Sequence, residues 1–339
     1  LKETPTVLVT GDRVVLEDLR IRTGAVGIAV QEADDGAVTG AVIEWAAPDV
    51  HLADRGNGID LYRAHRWRLE DNAIRDVHDG IYIERSDDTR VAANSIERSR
   101  YGIHLMYTNG TVVEGNVGTA NITGAMVMVA RQVSVTGNTF AKQSENVYSQ
   151  GILLYDVQES VVADNTVDGN RVGMYVERSS GNRVADNRIR YNFLGLQLLE
   201  SSGNTFTANQ FIGNALEALA SGSEDNDLAG NYWDGFRGID ADGDGRSDLP
   251  YAINPFFQHL TMRQPAFQLF FQSPGMVFLE GLYRFDRRDW TTDAAPLMAP
   301  TDSGAQAFGS QGGAATGVMG VVLLGGAVWI WFIMRRRQT

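Results

Sequence analysis

The chain has no cysteine, which excludes disulfide bridges and thiolate metal sites. Lysine is nearly absent: Lys2 and Lys142 stand against 27 arginines. Basic charge as a whole is short, with 29 Lys and Arg against 42 Asp and Glu and a net charge of -13. An acidic surface repels a phosphate backbone, so nucleic acid is not an expected partner. A secretory leader is also missing, since the sequence starts at Leu1 as if already processed or lacking its beginning. The far end carries the targeting signal instead. From Ala314 to Met334 no residue is charged, a length that crosses a hydrocarbon core of roughly 30 Å. Arg335, Arg336 and Arg337 follow at once, and such a cluster stays on the cytoplasmic side. The rest of the chain is therefore expected outside the cytoplasm, at the outer face of the membrane or in a periplasm.

An internal repeat fixes the fold class. Asparagine recurs at Asn72, Asn94, Asn116, Asn138, Asn165, Asn187, Asn209 and Asn231, in steps of 22 residues with one step of 27. Glycine keeps the same beat at Gly58, Gly80, Gly102, Gly124, Gly151, Gly173 and Gly195. One insertion, within Ala141–Gln150, accounts for both long steps, and a second near residues 45–54 accounts for the 31-residue step between Gly27 and Gly58. Earlier copies without the asparagine surround Leu19 and Ala41. Each copy reads as two short alternating strands, one after the glycine and one around the asparagine. Apolar residues at the first and third places after the glycine face inward. The period is too short for a helical repeat. It predicts an all-β, right-handed parallel β-helix over 1–235, with the asparagines stacked in a hydrogen-bonded ladder.

Stacking places residues 22 apart above one another. The first outward column reads Tyr82, His104, Met126, Leu153, Tyr175, Gln197, and the second Glu84, Met106, Met128, Tyr155, Glu177, Leu199. His104, Met106, Met126 and Met128 thus form a two-by-two group on adjacent rungs. Thioether and imidazole donors without a carboxylate favour Cu(I) over calcium or magnesium. The alternative is an adaptable apolar patch covered by a loop or partner. The insertion Ala141–Gln150 lies beside these rungs, as a lid or docking loop would. His51, His65, His78 and His259 have no comparable neighbours.

A different metal chemistry is written after the last asparagine. Asp240, Asp242, Asp244, Gly245 and Asp248 fit positions 1, 3, 5, 6 and 9 of an EF-hand-type loop, with the Arg246 carbonyl at position 7. Tyr251 stands where a bidentate glutamate is usual. Calcium over 236–252 would be a structural staple at the end of the coil. Residues 253–290, rich in phenylalanine and broken by Pro255, Pro265 and Pro274, read as amphipathic helices that dock on a membrane or membrane partner. A polar, glycine-rich linker follows over 291–313, then the membrane helix 314–334 and a cytoplasmic tail 335–339.

The repeats, the stretch "GNYWDGFRGIDADGDGRSDLPY", the segment "QSPGM" and the rungs "YGIHLMY" and "GAMVM" together resemble the NosD family, over roughly Leu19 to Phe285. The C-terminal span departs from the commonest soluble form of that family and suggests tethering where no enclosed periplasm exists. The resemblance implies an extracytoplasmic accessory protein, not an enzyme, in the maturation of the copper centres of nitrous oxide reductase. It implies an ABC-type permease and its ATPase as partners, a lipoprotein copper chaperone as donor and the apo-reductase as acceptor. His104, Met106, Met126 and Met128 would then hold copper in transit. The rival reading is a polysaccharide-binding or polysaccharide-modifying β-helix of the lyase or epimerase type, with Glu84, Glu177, Tyr82, Tyr155 and Tyr175 along a sugar groove.

Overall fold

The computed structural model describes residues 4–301 except 48, 144, 145, 147, 148 and most of 257–289. Three parallel sheets of ten, nine and ten strands run the length of a β-solenoid, and each turn but the last contributes one strand to each sheet. Residues 22 apart are aligned, as Tyr82 with His104 and His104 with Met126. The long steps leave this register intact: Met126 aligns with Leu153 and Ala29 with Asp60. Both insertions therefore fall between strands and leave the ladders intact. The second of them carries a short 3-10 turn, Leu52–Asp54.

The structure corrects the expectation of two strands per copy. The segment around each asparagine is two strands, such as Arg90–Ala92 and Ser95–Glu97, with Asn94 at the bend between them. Ala93 supplies the bend with a left-handed φ of 55°, a conformation that breaks strand geometry. Asn94 then repairs the hydrogen bonding. Its Nδ2 donates to Asn116 Oδ1 at 2.9 Å and to the Leu69 carbonyl at 2.8 Å, and its own N–H donates to Asn116 Oδ1 at 2.9 Å. The corner amide that a strand ladder would leave orphaned is satisfied inside the coil. The ladder crosses the insertion without a gap, from Asn138 to Asn165 at 3.0 Å. A second ladder, unforeseen in the sequence, occupies the next corner through Asn170, Asn192 and Asn214.

Inward columns build the core. Ile59, Ile81, Ile103, Ala125, Ile152, Met174 and Leu196 are all essentially fully buried, each aliphatic side chain contributing roughly 1.5–3 kcal/mol. The glycine column exists because the rungs approach closely there: a Cβ on Gly102 would lie 2.5 Å from the Gly124 carbonyl oxygen.

The coil is closed by a segment expected to be linker. Thr292–Asp293 pairs antiparallel with Tyr251–Ala252. Asp293, fully buried, accepts from Gly230 N and Asn231 N at 3.0 Å each and from Trp233 Nε1 at 2.9 Å. Its Oδ2 thereby stands where the next asparagine of the ladder would place its Oδ1. Leu297 N donates to the Asn231 carbonyl at 2.8 Å. Residues 291–300 therefore belong to the folded end of the coil, because Asp293 takes the backbone N–H of the last ladder asparagine, whose side-chain amide turns back to the Leu228 carbonyl. Most of the docking segment 253–290, and all of the membrane span 314–334 and the tail 335–339, lie outside the described residues. Among the described residues no helix is long and apolar enough to cross a membrane.

Candidate metal centre

The sheet that follows the glycines holds the strands Asp79–Glu84, Tyr101–Met106, Thr123–Arg131 and Gln150–Gln158 side by side. Alternation turns His104 and Met106 outward on one strand and Met126 and Met128 outward on the next. The register sets His104 against Met126 and Met106 against Met128. All four predicted donors thus share one patch. The three methionines are half-buried, so the patch opens to solvent on the thioether side.

His104 differs from them. It lies on the outward face yet is only 6% exposed. The Tyr82 ring covers it at 4.9 Å and the Tyr101 ring meets it edge-on at 5.0 Å. Its Nδ1 is 2.9 Å from Asp79 Oδ2. Asp79 is itself buried, and Arg100 grips the same carboxylate through Nε at 2.8 Å and a terminal nitrogen at 2.7 Å. Burial pushes the Asp79 carboxyl up, but the bonds from His104 and Arg100 outweigh it and hold the group below the usual carboxylate range. An ionised carboxylate only accepts, so Nδ1 of His104 carries a proton, and in the neutral ring Nε2 is the nitrogen that holds the free lone pair. That Nε2 is buried without a hydrogen-bond partner. Leaving such a buried polar nitrogen unpaired costs about 1–3 kcal/mol.

The donor set fits copper on these observations. One imidazole nitrogen is oriented by a carboxylate, as metal-bound histidines are, and the three methionines occupy neighbouring outward positions in the register of the same sheet. The carboxylate in register with the group, Glu84 opposite Met106, is engaged elsewhere. Tyr82 donates to Glu84 Oε2 at 2.8 Å, with its hydroxyl 3.7 Å from Met106 Sδ. Soft and borderline donors without a hard one suit a monovalent copper ion.

The sequence reading missed Asp79 and Arg100. The signal was present: Asp79 is the one acid in the column preceding the glycines, among Asn57, Tyr101, Thr123 and Gln150. Of the other described histidines, His51 and His65 serve their own turns, whereas His78 lies near enough for Asp79, Arg100 and His104 to act on its charge. His51 accepts from Ala53 N at 3.2 Å and His65 from Asp87 N at 3.0 Å. His78 is held below the usual imidazole range by burial, which outweighs the nearby Asp79. His259 lies outside the described residues.

The acidic loop is a separate feature. One carboxylate oxygen from each of Asp240, Asp242 and Asp244 lies within 4.8 Å of the others. Asp248 turns an oxygen to Ala241 N at 2.8 Å, and Asp240 accepts from Gly243 N at 2.7 Å and Gly245 N at 3.0 Å. Arg246 donates its N–H to Asp244 at 2.8 Å. Tyr251 is committed to the closing strand and packs on Trp233 at 4.7 Å.

A groove of about 830 Å³ adjoins the patch, lined by Asp60, Tyr62, Tyr82 and Glu84 among others. The glutamates of the sugar-groove reading do not converge. Met106, Met128 and Tyr155 separate Glu84 from Glu177 in register. Four rung spacings are roughly 19 Å, whereas paired catalytic carboxylates sit about 5–9 Å apart. Each glutamate instead accepts from its own tyrosine, Tyr82 at 2.8 Å and Tyr175 at 2.6 Å.

Residues 47–238 match the NosD family model, described as "Periplasmic copper-binding protein (NosD)". No curated protein matches the chain. Among solved structures, a mutant of the periplasmic alginate epimerase AlgG is similar at 13% identity and a TM-score of 0.49, covering 66% of this chain and 62% of its own. The A-module of the Azotobacter vinelandii mannuronan C-5 epimerase AlgE4 gives 15% and 0.44, covering 66% and 78%. A DFA-IIIase from Arthrobacter chlorophenolicus without its lid gives 16% and 0.47, covering 63% and 62%. The chain thus spans about six tenths of the length of the first of these.

Proposed function

The chain belongs to the NosD family of periplasmic copper-binding proteins, and from that premise we propose that it carries Cu(I) on His104, Met106, Met126 and Met128. The observation that supports this most is the buried Nε2 of His104, without a partner, on a residue in register with Met126 and two places from Met106. The centre is read as a way-station. Half-buried thioethers on one open face let an ion enter and leave without unfolding the coil. We propose that the donor is a lipoprotein chaperone and the acceptor apo nitrous oxide reductase. An ABC-type ATPase and permease would engage the segment 253–290, and the span 314–334 would tether the protein with its tail in the cytoplasm. The role is delivery, not catalysis.

Cu(I) titration of the purified protein against a chromophoric chelator tests the centre. Met106→Leu and Met126→Leu should each weaken binding about 10–100-fold. Wild-type binding no tighter than the double variant would sink the reading. Cleavage or epimerisation of an oligosaccharide by the same preparation would favour the polysaccharide alternative. At the closed end, Asp240, Asp242, Asp244 and Asp248 with the Arg246 carbonyl are read as a structural calcium staple, unconnected to copper.

A further inference from the structure

We propose that Arg100 decides which ion the His104–methionine centre accepts, by cancelling the charge of the carboxylate that orients His104. The inference rests on the copper reading of that centre.

Asp79 poses a problem for a soft site. A carboxylate hydrogen-bonded to a metal-binding imidazole makes the ring a stronger, more anionic donor. That push favours divalent ions, and zinc in particular is often held this way. An uncompensated Asp79 would therefore pull the centre toward Zn(II) and Cu(II). Its charge would also be felt strongly, since the side chain is 1% exposed and the imidazole 7%.

Arg100 answers this geometrically. Its Nε and one terminal nitrogen take the two Asp79 oxygens, at 2.8 and 2.7 Å. Oδ2 is shared between Arg100 and His104. The guanidinium is fixed in turn by the Tyr101 ring, 4.2 Å beneath it. A guanidinium does not deprotonate in a protein, so the neutralisation is permanent. Asp79 keeps its hold on the Nδ1 proton and loses its net charge. The four proposed ligands are then neutral donors, with no net charge behind the imidazole. A partly buried neutral shell penalises a second positive charge. Arg100 is thus a specificity-determining residue that touches no metal.

The test compares Cu(I) and Zn(II) affinities of the full-length protein by chelator competition. Wild type should hold Cu(I) tightly and Zn(II) weakly, and Zn(II) bound as tightly as Cu(I) overturns the proposal without any variant. Arg100→Gln, and Arg100→Met, which keeps the apolar stem over Tyr101, should raise Zn(II) affinity about 10–100-fold while Cu(I) changes less. Arg100→Lys retains the charge and should leave the Zn(II) to Cu(I) ratio near wild type. Asp79→Asn should weaken both ions together. A ratio unchanged within threefold in a folded neutral variant overturns the role of Arg100. Loss of Cu(I) binding in no methionine variant overturns the copper centre instead, so the two failures are separable.

Discussion

The middle of the coil and its closed end solve opposite problems with buried polar groups. At the middle, His104 Nε2 is left without a partner while everything behind it is over-secured by Asp79, Arg100 and Tyr101. At the closed end, Asp293 accepts from two backbone amides, Gly230 and Asn231, and from the Trp233 indole. On the copper reading proposed above, the unpaired nitrogen of His104 is where an ion would bind, whereas the donors at the closed end serve stability alone. The comparison separates function from folding within one repetitive frame, and it can be attacked from either side.

The largest effect is expected at the closed end. Asp293→Ala strands three buried N–H donors, a loss on the order of 3–5 kcal/mol, read as a fall in the urea midpoint. Asp293→Asn keeps one acceptor oxygen in the ladder position and should cost less. If either folds, its Cu(I) affinity should match wild type.

Next is a pH effect at the same end. Glu217 occupies the glycine column where no further rung lies above it, and it accepts from Gly235 N at 3.0 Å. Burial pushes its carboxyl up to about 7 from the ordinary 4.5. A raised folded-state value favours the protonated form, so this contribution to stability is complete below 4.5 and disappears as pH rises through about 7. Glu217→Gln should therefore equal wild type at pH 4 and exceed it at pH 8, by on the order of 3 kcal/mol. Parallel stability curves from pH 4 to 8 would show that the side chain is solvated.

At the middle, the contrast should reverse. Met106→Leu conserves volume and should change stability by less than about 1.5 kcal/mol, while the copper affinity falls. A large loss of stability with copper binding intact would make the patch structural. The acidic loop gives a smaller effect. Calcium should raise the melting temperature by a few degrees, and Asp242→Asn should abolish that rise; equal melting with and without calcium would leave a plain turn closed by its own backbone bonds.

The smallest expected effect concerns a corner. Val129 follows Met128 with φ of 49°, a left-handed conformation that costs a side-chain-bearing residue roughly 1–2 kcal/mol. Val129→Asn should stabilise the protein by about 1 kcal/mol in denaturant titration, with copper affinity unchanged.

Some of this was legible early. The asparagine and glycine beats gave the register, and the register alone brought His104, Met106, Met126 and Met128 together. The two-strand reading failed because Ala93 carries no mark of a left-handed corner; alanine is ordinary in strands, and the bend is imposed by the amide bonds of Asn94. Asp79 was overlooked because it is neither at a repeat marker nor in an outward column. The linker boundary failed because Asp293 meets the ladder 62 residues downstream of Asn231, outside any repeat.

What the sequence determined by itself was everything that translation by one rung preserves: the period, the inward apolar columns, the first ladder and the grouping of soft donors. A repeat converts position in the chain into position in space. Only the tertiary structure decided where that translation breaks. The triad of Asp79, Arg100 and His104 spans two neighbouring rungs through side chains that occur once, and Asp293 ends the ladder from outside the coil. Such contacts depend on side-chain reach and burial in three dimensions, which no periodicity encodes.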